Sequence, residues 1–212
     1  MKEQLKEGVF KLGQKYLADK GFDPGPIDGM PGPMTQAALV NYQRSLTNND
    51  SNRDAGNTQS PFPKDNYSAL VSYYGRPGDE HLVTFDFPYP MRIAWEKDRI
   101  VTTTRVHALV APSLGKILEE VQEYFGTHEA LQAYGLDLFG GCYNYRPMRG
   151  GDKYSRHSWG IAIDLDPDHN GLWTKRKAAR MPEGVIDIFE KHGWKSGGRA
   201  WGRDFMHFQA TR

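Results

Sequence analysis

Apolar positions recur along the chain with two different periods, and the change of period divides it. Residues 8–46 read as helix, tight turns, helix. Phe10 and Leu17 belong to a first helix closed at Gly21. "DPGPIDGMPGP" (23–33) is a turn cluster in which Asp28-Gly29 supplies the tight turn, and Ala38, Leu39 and Tyr42 recur at helical spacing from about Pro33 to Leu46. Further on, "PSLGKILEEVQEYF" (112–125) places Leu114, Ile117, Leu118, Val121 and Phe125 on one helical face. "PEGVIDIFEKHGW" (182–194) is a helix with Pro182 in its first turn and Gly193 as its stop. Short strands are expected around Leu138–Tyr145 and over "RDFMHFQ" (203–209), with a Gly-rich loop at 146–154.

The period-two stretch Gly160–Leu165 raises a chemical question. Ile161, Ile163 and Leu165 point one way, and Gly160, Ala162 and Asp164 point the other. A carboxylate buried beside Gly and Ala needs a partner, because an unpaired buried charge costs several kcal/mol or protonates. Asp166 shares that face at the strand's exit, where it reads as solvated or as a support to Asp164.

Between the helical part and the mixed α and β part lies "TNNDSNRDAGNTQSPFPK", polar and with almost nothing to bury. The chain is therefore expected to comprise a module at 1–46, a linker at 47–65 and a larger domain at 66–212. Composition narrows the function classes. A net charge of +1 gives no electrostatic reason to expect nucleic acid, and the one cysteine, Cys142, excludes an intrachain disulfide and a thiolate metal cluster. In its apolar, Gly-framed strand Cys142 reads as a small buried hydrophobe. No apolar run suits a membrane span, and no secretory signal is visible at the N-terminus.

A metal ion is the simplest partner for Asp164. His157 lies just before its strand, and in the terminal strand Phe205, His207 and Gln209 face opposite to Met206 and Phe208. Two imidazoles and a carboxylate suit zinc and leave a fourth position open, which marks a catalytic rather than a structural site. Amide hydrolysis also needs a proton carrier. Asp204, three residues before His207 and in the loop entering the strand, is the candidate. A buried histidine is as a rule a hydrogen-bonded core residue, and that reading is kept for His81, His107, His128, His169 and His192, the last as a cation at a helix C-terminus.

The motifs carry two resemblances. "SRHSWGIAID" (155–164) resembles the S-x-H-x-x-G-x-A-x-D signature of the D-alanyl-D-alanine carboxypeptidase and L-alanyl-D-glutamate endopeptidase family of zinc peptidases. "GWKSGGRAWGRDFMHF" (193–208) is similar to that family's closing segment. The likeness implies an α+β fold in which a small antiparallel sheet with flanking helices holds zinc, as in hedgehog and D-Ala-D-Ala peptidase-like proteins. It implies His157, Asp164 and His207 as zinc ligands and Asp204 as general acid/base. A substrate-binding arginine is implied too; "NYRPMRGG" offers both Arg146 and Arg149, and the choice stays open. Ser155 matches the motif serine, which positions substrate or loop, or else caps backbone amides. Trp159, Trp194 and Trp201 stand between substrate contact and core packing, with Trp201 taken as the substrate-side candidate. "GQKYLADKGFDPGPIDGMPGPMTQAALVNYQ" (13–43) resembles the three-helix peptidoglycan-binding domain, with Gly13 and Pro31 replacing the usual apolar residues.

Together the resemblances imply a zinc-dependent hydrolase of peptidoglycan stem peptides, with the wall as its partner, no membrane insertion and a monomeric state. The expected setting is a phage or prophage endolysin of the L-alanyl-D-glutamate endopeptidase type. Such an enzyme is made in the cytoplasm and acts on the wall after release. The alternatives are a D-alanyl-D-alanine carboxypeptidase and, from another class, a non-catalytic wall-binding protein with a structural zinc site.

Overall fold

The computed structural model describes residues 2–47, 60–148 and 150–212. They group into two compact units, one drawn from 1–57 and 122–134, the other from 58–121 and 135–212. Most of the expected linker, residues 48–59, lies outside the described residues; Thr47 closes a helix, and Ser60–Asp65 belong to the larger unit.

In the smaller unit, α1 (Lys2–Asp19) and α2 (Pro33–Thr47) flank the turn cluster, with Pro33 at the first helical position, where its missing N–H costs nothing. Leu17, Ala37 and Ala38 are buried, whereas Phe10 and Leu39 are exposed. A buried amide organises the turns. The Gln14 side-chain nitrogen lies 3.0 Å from Asp28 Oδ1, 3.0 Å from the Met30 carbonyl and 3.1 Å from Thr35 Oγ1, while its oxygen accepts from Gly29 N–H at 2.8 Å. Three helices were expected within 1–46; the described residues there form two.

The larger unit runs α3 (Tyr67–Tyr74), β1 (Leu82–Ile93), β2 (Glu96–His107), α4 (Ala111–Phe125), then α5 (His128–Ala133), which groups with the smaller unit, and β3 (Leu138–Gly141). A 3-10 turn (Arg156–Trp159) precedes β4 (Ala162–Leu165), followed by α6 (Pro167–Asn170), α7 (Glu183–Lys191), β5 (Lys195–Ser196), α8 (Gly197–Trp201) and β6 (His207–Gln209). The six strands form one sheet in the order β2-β1-β3-β4-β6-β5. Four of its pairings are antiparallel, but β1 and β3 run parallel, so the sheet is mixed rather than antiparallel as expected. The long connection through β2, α4 and α5 makes that crossover possible.

Three strands are shorter than their sequence pattern, β3 ending at Gly141, whose backbone has a positive φ of 120°, rather than at Tyr145. β4 starts at Ala162 because Gly160 adopts a left-handed backbone (φ 67°) that closes the 3-10 turn. β6 starts at His207 because Asp204 is also left-handed (φ 62°). Alternation then divides the two faces. Ile163 pairs with Phe208 across β4 and β6, and Phe208 stacks on Phe189 of α7 at 3.8 Å between centroids and 15° between planes. The fully buried face of α4 and the apolar face of α7 complete this core, with the Trp194 indole donating to Ser113 Oγ at 3.0 Å. Asp164 and His207 pair on the opposite face.

Phe189→Ala removes one member of a fully buried stack. It should destabilise the larger unit by about 3–5 kcal/mol, read as a lower urea midpoint in tryptophan fluorescence, since all 5 tryptophans lie in that unit.

Candidate metal centre

Three short elements deliver the site. Asp164 comes from β4 and His207 from β6, directly opposite one another in the antiparallel register. His157 comes from the 3-10 turn, whose N-terminus is capped by Ser155, its hydroxyl accepting from His157 N–H at 3.4 Å. β3 closes against Asp164 through a glycine. A β-carbon on Gly140 would lie 2.8 Å from Asp164 Cβ, so a side chain there would push the strand away.

All three side chains are buried. His157 Nε2 lies 3.3 Å from His207 Nδ1 and 3.3 Å from Asp164 Oδ1, and His207 Nδ1 lies 2.9 Å from the same oxygen. The other ring nitrogens are engaged from behind. His157 Nδ1–H donates to the Cys142 carbonyl at 2.7 Å, and His207 Nε2–H donates to Gln209 Oε1 at 3.1 Å. With those tautomers fixed, both inner nitrogens present lone pairs. Two lone pairs and a carboxylate oxygen thus converge with no donor between them, an arrangement that needs a cation at its centre. Ligands about 2.0–2.1 Å from a tetrahedral zinc lie about 3.3 Å apart, and the observed separations of 2.9–3.3 Å fit that donor set. A proton on either ring is the other possible source of positive charge: against the opposing effect of burial, protonated imidazoles hold the Asp164 carboxyl well below the usual carboxylate range. Burial works against a charge on His207, and Asp164 outweighs it, moving that imidazole upward.

Asp204 is buried beside this cluster. Its backbone carbonyl accepts from His207 N–H at 3.1 Å, and its Oδ1 is buried with no hydrogen-bond partner among the described residues. Burial, with a further contribution from the negative charge of Asp164, raises its carboxyl despite the attraction of both histidines. The Trp201 ring, half-exposed, lies 5.7 Å from the His207 ring, whereas Trp159 and Trp194 are core residues. Arg146 is tied by its backbone to the turn carrying His157, its N–H donating to Ser158 Oγ at 3.0 Å and its carbonyl accepting from that hydroxyl at 2.7 Å. Its guanidinium donates to the Pro147 carbonyl at 3.1 Å and makes no ion pair among the described residues. Arg149 lies outside the described residues.

Gly160 is small for its left-handed turn and for its approach to Leu82, where a β-carbon would come within 2.6 Å. One detail differs from the sequence reading. Asp166 is fully buried rather than solvated. Its carboxylate accepts from Asn170 Nδ2 at 2.9 Å and pairs with His169 at 2.8 Å, so it braces α6. The Cys142 carbonyl and Gln209 were not singled out by sequence; for Gln209 the one available signal is that it shares the His207 face of its strand.

Residues 149–210 match the model of the D-alanyl-D-alanine carboxypeptidase family, and residues 9–46 match that of a peptidoglycan binding domain. The chain carries a peptidase domain of that family behind a wall-binding domain. Searches of curated proteins and of solved structures return no match. The peptidase match spans all three converging residues together with Asp204, so the arrangement belongs to a metallopeptidase domain acting on peptidoglycan. No helix among the described residues is long and apolar enough to cross a membrane.

Cys142 supplies the peptidase domain with a backbone acceptor and not with a nucleophile. Its thiol is buried, and burial, reinforced by the nearby Asp164, pushes it far up. The folded protein should therefore leave Ellman's reagent unreacted and release one equivalent per chain only after unfolding in guanidinium.

Proposed function

We propose that the chain is a zinc-dependent peptidase that hydrolyses amide bonds in the peptide stems of bacterial peptidoglycan, held on the wall by its N-terminal module. One observation carries this reading: the three acceptor atoms of His157, Asp164 and His207 converge beside a buried, unpartnered oxygen of Asp204. Bound by two imidazoles and one carboxylate, zinc supplies Lewis acidity to the scissile carbonyl and to an attacking water, whose pKa falls to about 7.

The chain's own groups do the rest. Asp204 takes the proton of the attacking water and delivers it to the leaving amine. Its burial suits the task, because a carboxyl raised by desolvation spends part of its time protonated closer to neutral pH. Arg146, whose guanidinium makes no ion pair among the described residues, holds a stem carboxylate or the developing oxyanion. Arg149 shares that proposal on its sequence position. Ser155 holds the turn that aims His157, and the half-exposed Trp201 ring forms the wall against which substrate packs.

For the bond cut, the motifs favour the L-alanyl-D-glutamate endopeptidase reading and, with the wall-binding module, an endolysin that is released to the wall. The description of the matched family favours a second reading, removal of a terminal D-Ala. A non-catalytic zinc protein would have no use for an Asp204 oxygen, Oδ1, left buried without a hydrogen-bond partner among the described residues.

Asp204→Asn keeps the side chain's shape and tolerates the left-handed backbone. It should lower release of products from purified peptidoglycan by about 10²–10⁴-fold, with zinc content and circular dichroism unchanged; retained activity would remove Asp204 from the proton chemistry. A chelator should abolish digestion of the wild-type protein and added zinc restore it. In the same digests, muropeptide masses with new N-terminal D-Glu identify the endopeptidase, and free D-Ala identifies the carboxypeptidase.

A further inference from the structure

The bond from His207 to Gln209 leaves one question open: what decides which end of the Gln209 amide faces the imidazole? Gln209 is buried, and its side chain is held at the far end. Its Nε2 donates to Asp65 Oδ2 at 2.9 Å and lies 2.5 Å from Thr211 Oγ1. Asp65 in turn uses its other oxygen to accept from Arg156 Nε. An ionised carboxylate only accepts, so Asp65 admits only the NH₂ end of Gln209. That leaves Oε1 facing His207, which must then carry its proton on Nε2 and aim the Nδ1 lone pair at Asp164 and His157.

We propose that Asp65 is a positioning residue of the metal centre. It fixes the donor and acceptor polarity of the Asp65–Gln209–His207 chain and so selects the metal-binding tautomer of His207. Through Arg156, which immediately precedes His157, the same carboxylate also holds the turn that carries the second imidazole. One side chain thereby clamps two ligand-bearing segments that lie 50 residues apart in sequence. The Asp65 and Arg156 side chains are partly buried, which limits the access of competing water to these links. This inference rests on the metal reading above.

The test is zinc affinity of the full chain, measured by competition with a chromogenic chelator and supported by the visible spectrum of the Co²⁺ form. Asp65→Asn is nearly isosteric, but its one carbonyl cannot serve both Arg156 and Gln209, and its NH₂ lets the Gln209 amide turn round. It should weaken zinc by about tenfold or more, as loss of an outer partner of a ligating histidine does, and alter the Co²⁺ spectrum while circular dichroism is kept. Adding Gln209→Glu restores the polarity, since Glu accepts both from the Asn at 65 and from His207 Nε2–H. The double variant should regain most of the lost affinity, a recovery that a general packing defect would not give. If Asp65→Asn loses its fold, Gln209→Leu carries the test, because it deprives His207 of its acceptor and should weaken zinc to the same extent.

Wild-type affinity in folded Asp65→Asn, or a double variant no tighter than the single one, would overturn the proposal while leaving the metal reading intact. A wild-type chain that takes up no zinc would overturn both.

Discussion

Asp164 and His207 meet because β4 and β6 pair antiparallel in a register that sets them directly opposite one another, and opposed residues have β-carbons about 4.5–5.5 Å apart. The neighbouring pair in that ladder, Ile163 with Phe208, faces the other way into the core under α7. One pairing therefore aligns the ligands and buries the apolar residues at once. A slip by one residue would exchange the two faces, sending charged ligands into the core and Phe208 into the site. The short strands leave little tolerance for such an error, and the bonds that flank them help to hold register. Leu165 N–H donates to the Met206 carbonyl at 2.9 Å, and Ala210 N–H donates to that of Ile161 at 2.9 Å.

The same register concentrates acceptors. Gathering two imidazole lone pairs and a carboxylate oxygen within 3.3 Å of one another opposes folding unless positive charge sits among them. The core behind the sheet and the outer hydrogen bonds, His157 to the Cys142 carbonyl and His207 to Gln209, hold this arrangement in place. Packing and backbone pairing thus position the ligand-bearing segments. Its position on the polar face of an otherwise apolar sheet keeps it apart from the groups that stabilise the fold.

Much of this was legible in the sequence, for a physical reason. Metal ligation admits few residue types, so His157, Asp164 and His207 stand out against a strand pattern that has no structural use for them. The left-handed position at Asp204 was not readable, yet its placement in a loop before the strand was, because a regular strand would have turned it away from His207. Non-local features stayed hidden. The parallel pairing of β1 with β3 joins segments separated by a long crossover and leaves no periodic trace. Asp65 lies at the end of a polar run whose composition speaks of a linker; only the folded chain shows that its carboxylate reaches Arg156 and Gln209. Asp166 misled in the opposite direction, since a carboxylate at a strand's exit gives no sign that α6 will close over it.

The segment just before α3 also defines where the peptidase begins as a physical object. Ser60 Oγ donates to the Gly193 carbonyl at 2.6 Å, Phe62 packs edge-on against Trp194, and Pro63 and Asp65 exchange backbone hydrogen bonds with Arg212. These residues act as a strap across the far end of the unit, binding its first described residues to its last. An excised catalytic domain that starts at the first helix, as composition alone would suggest, would lose this strap together with Asp65. One that keeps Ser60 onward retains both, so the boundary chosen by an engineer swapping wall-binding modules decides whether the transplanted domain keeps the Asp65 contacts to Arg156 and Gln209.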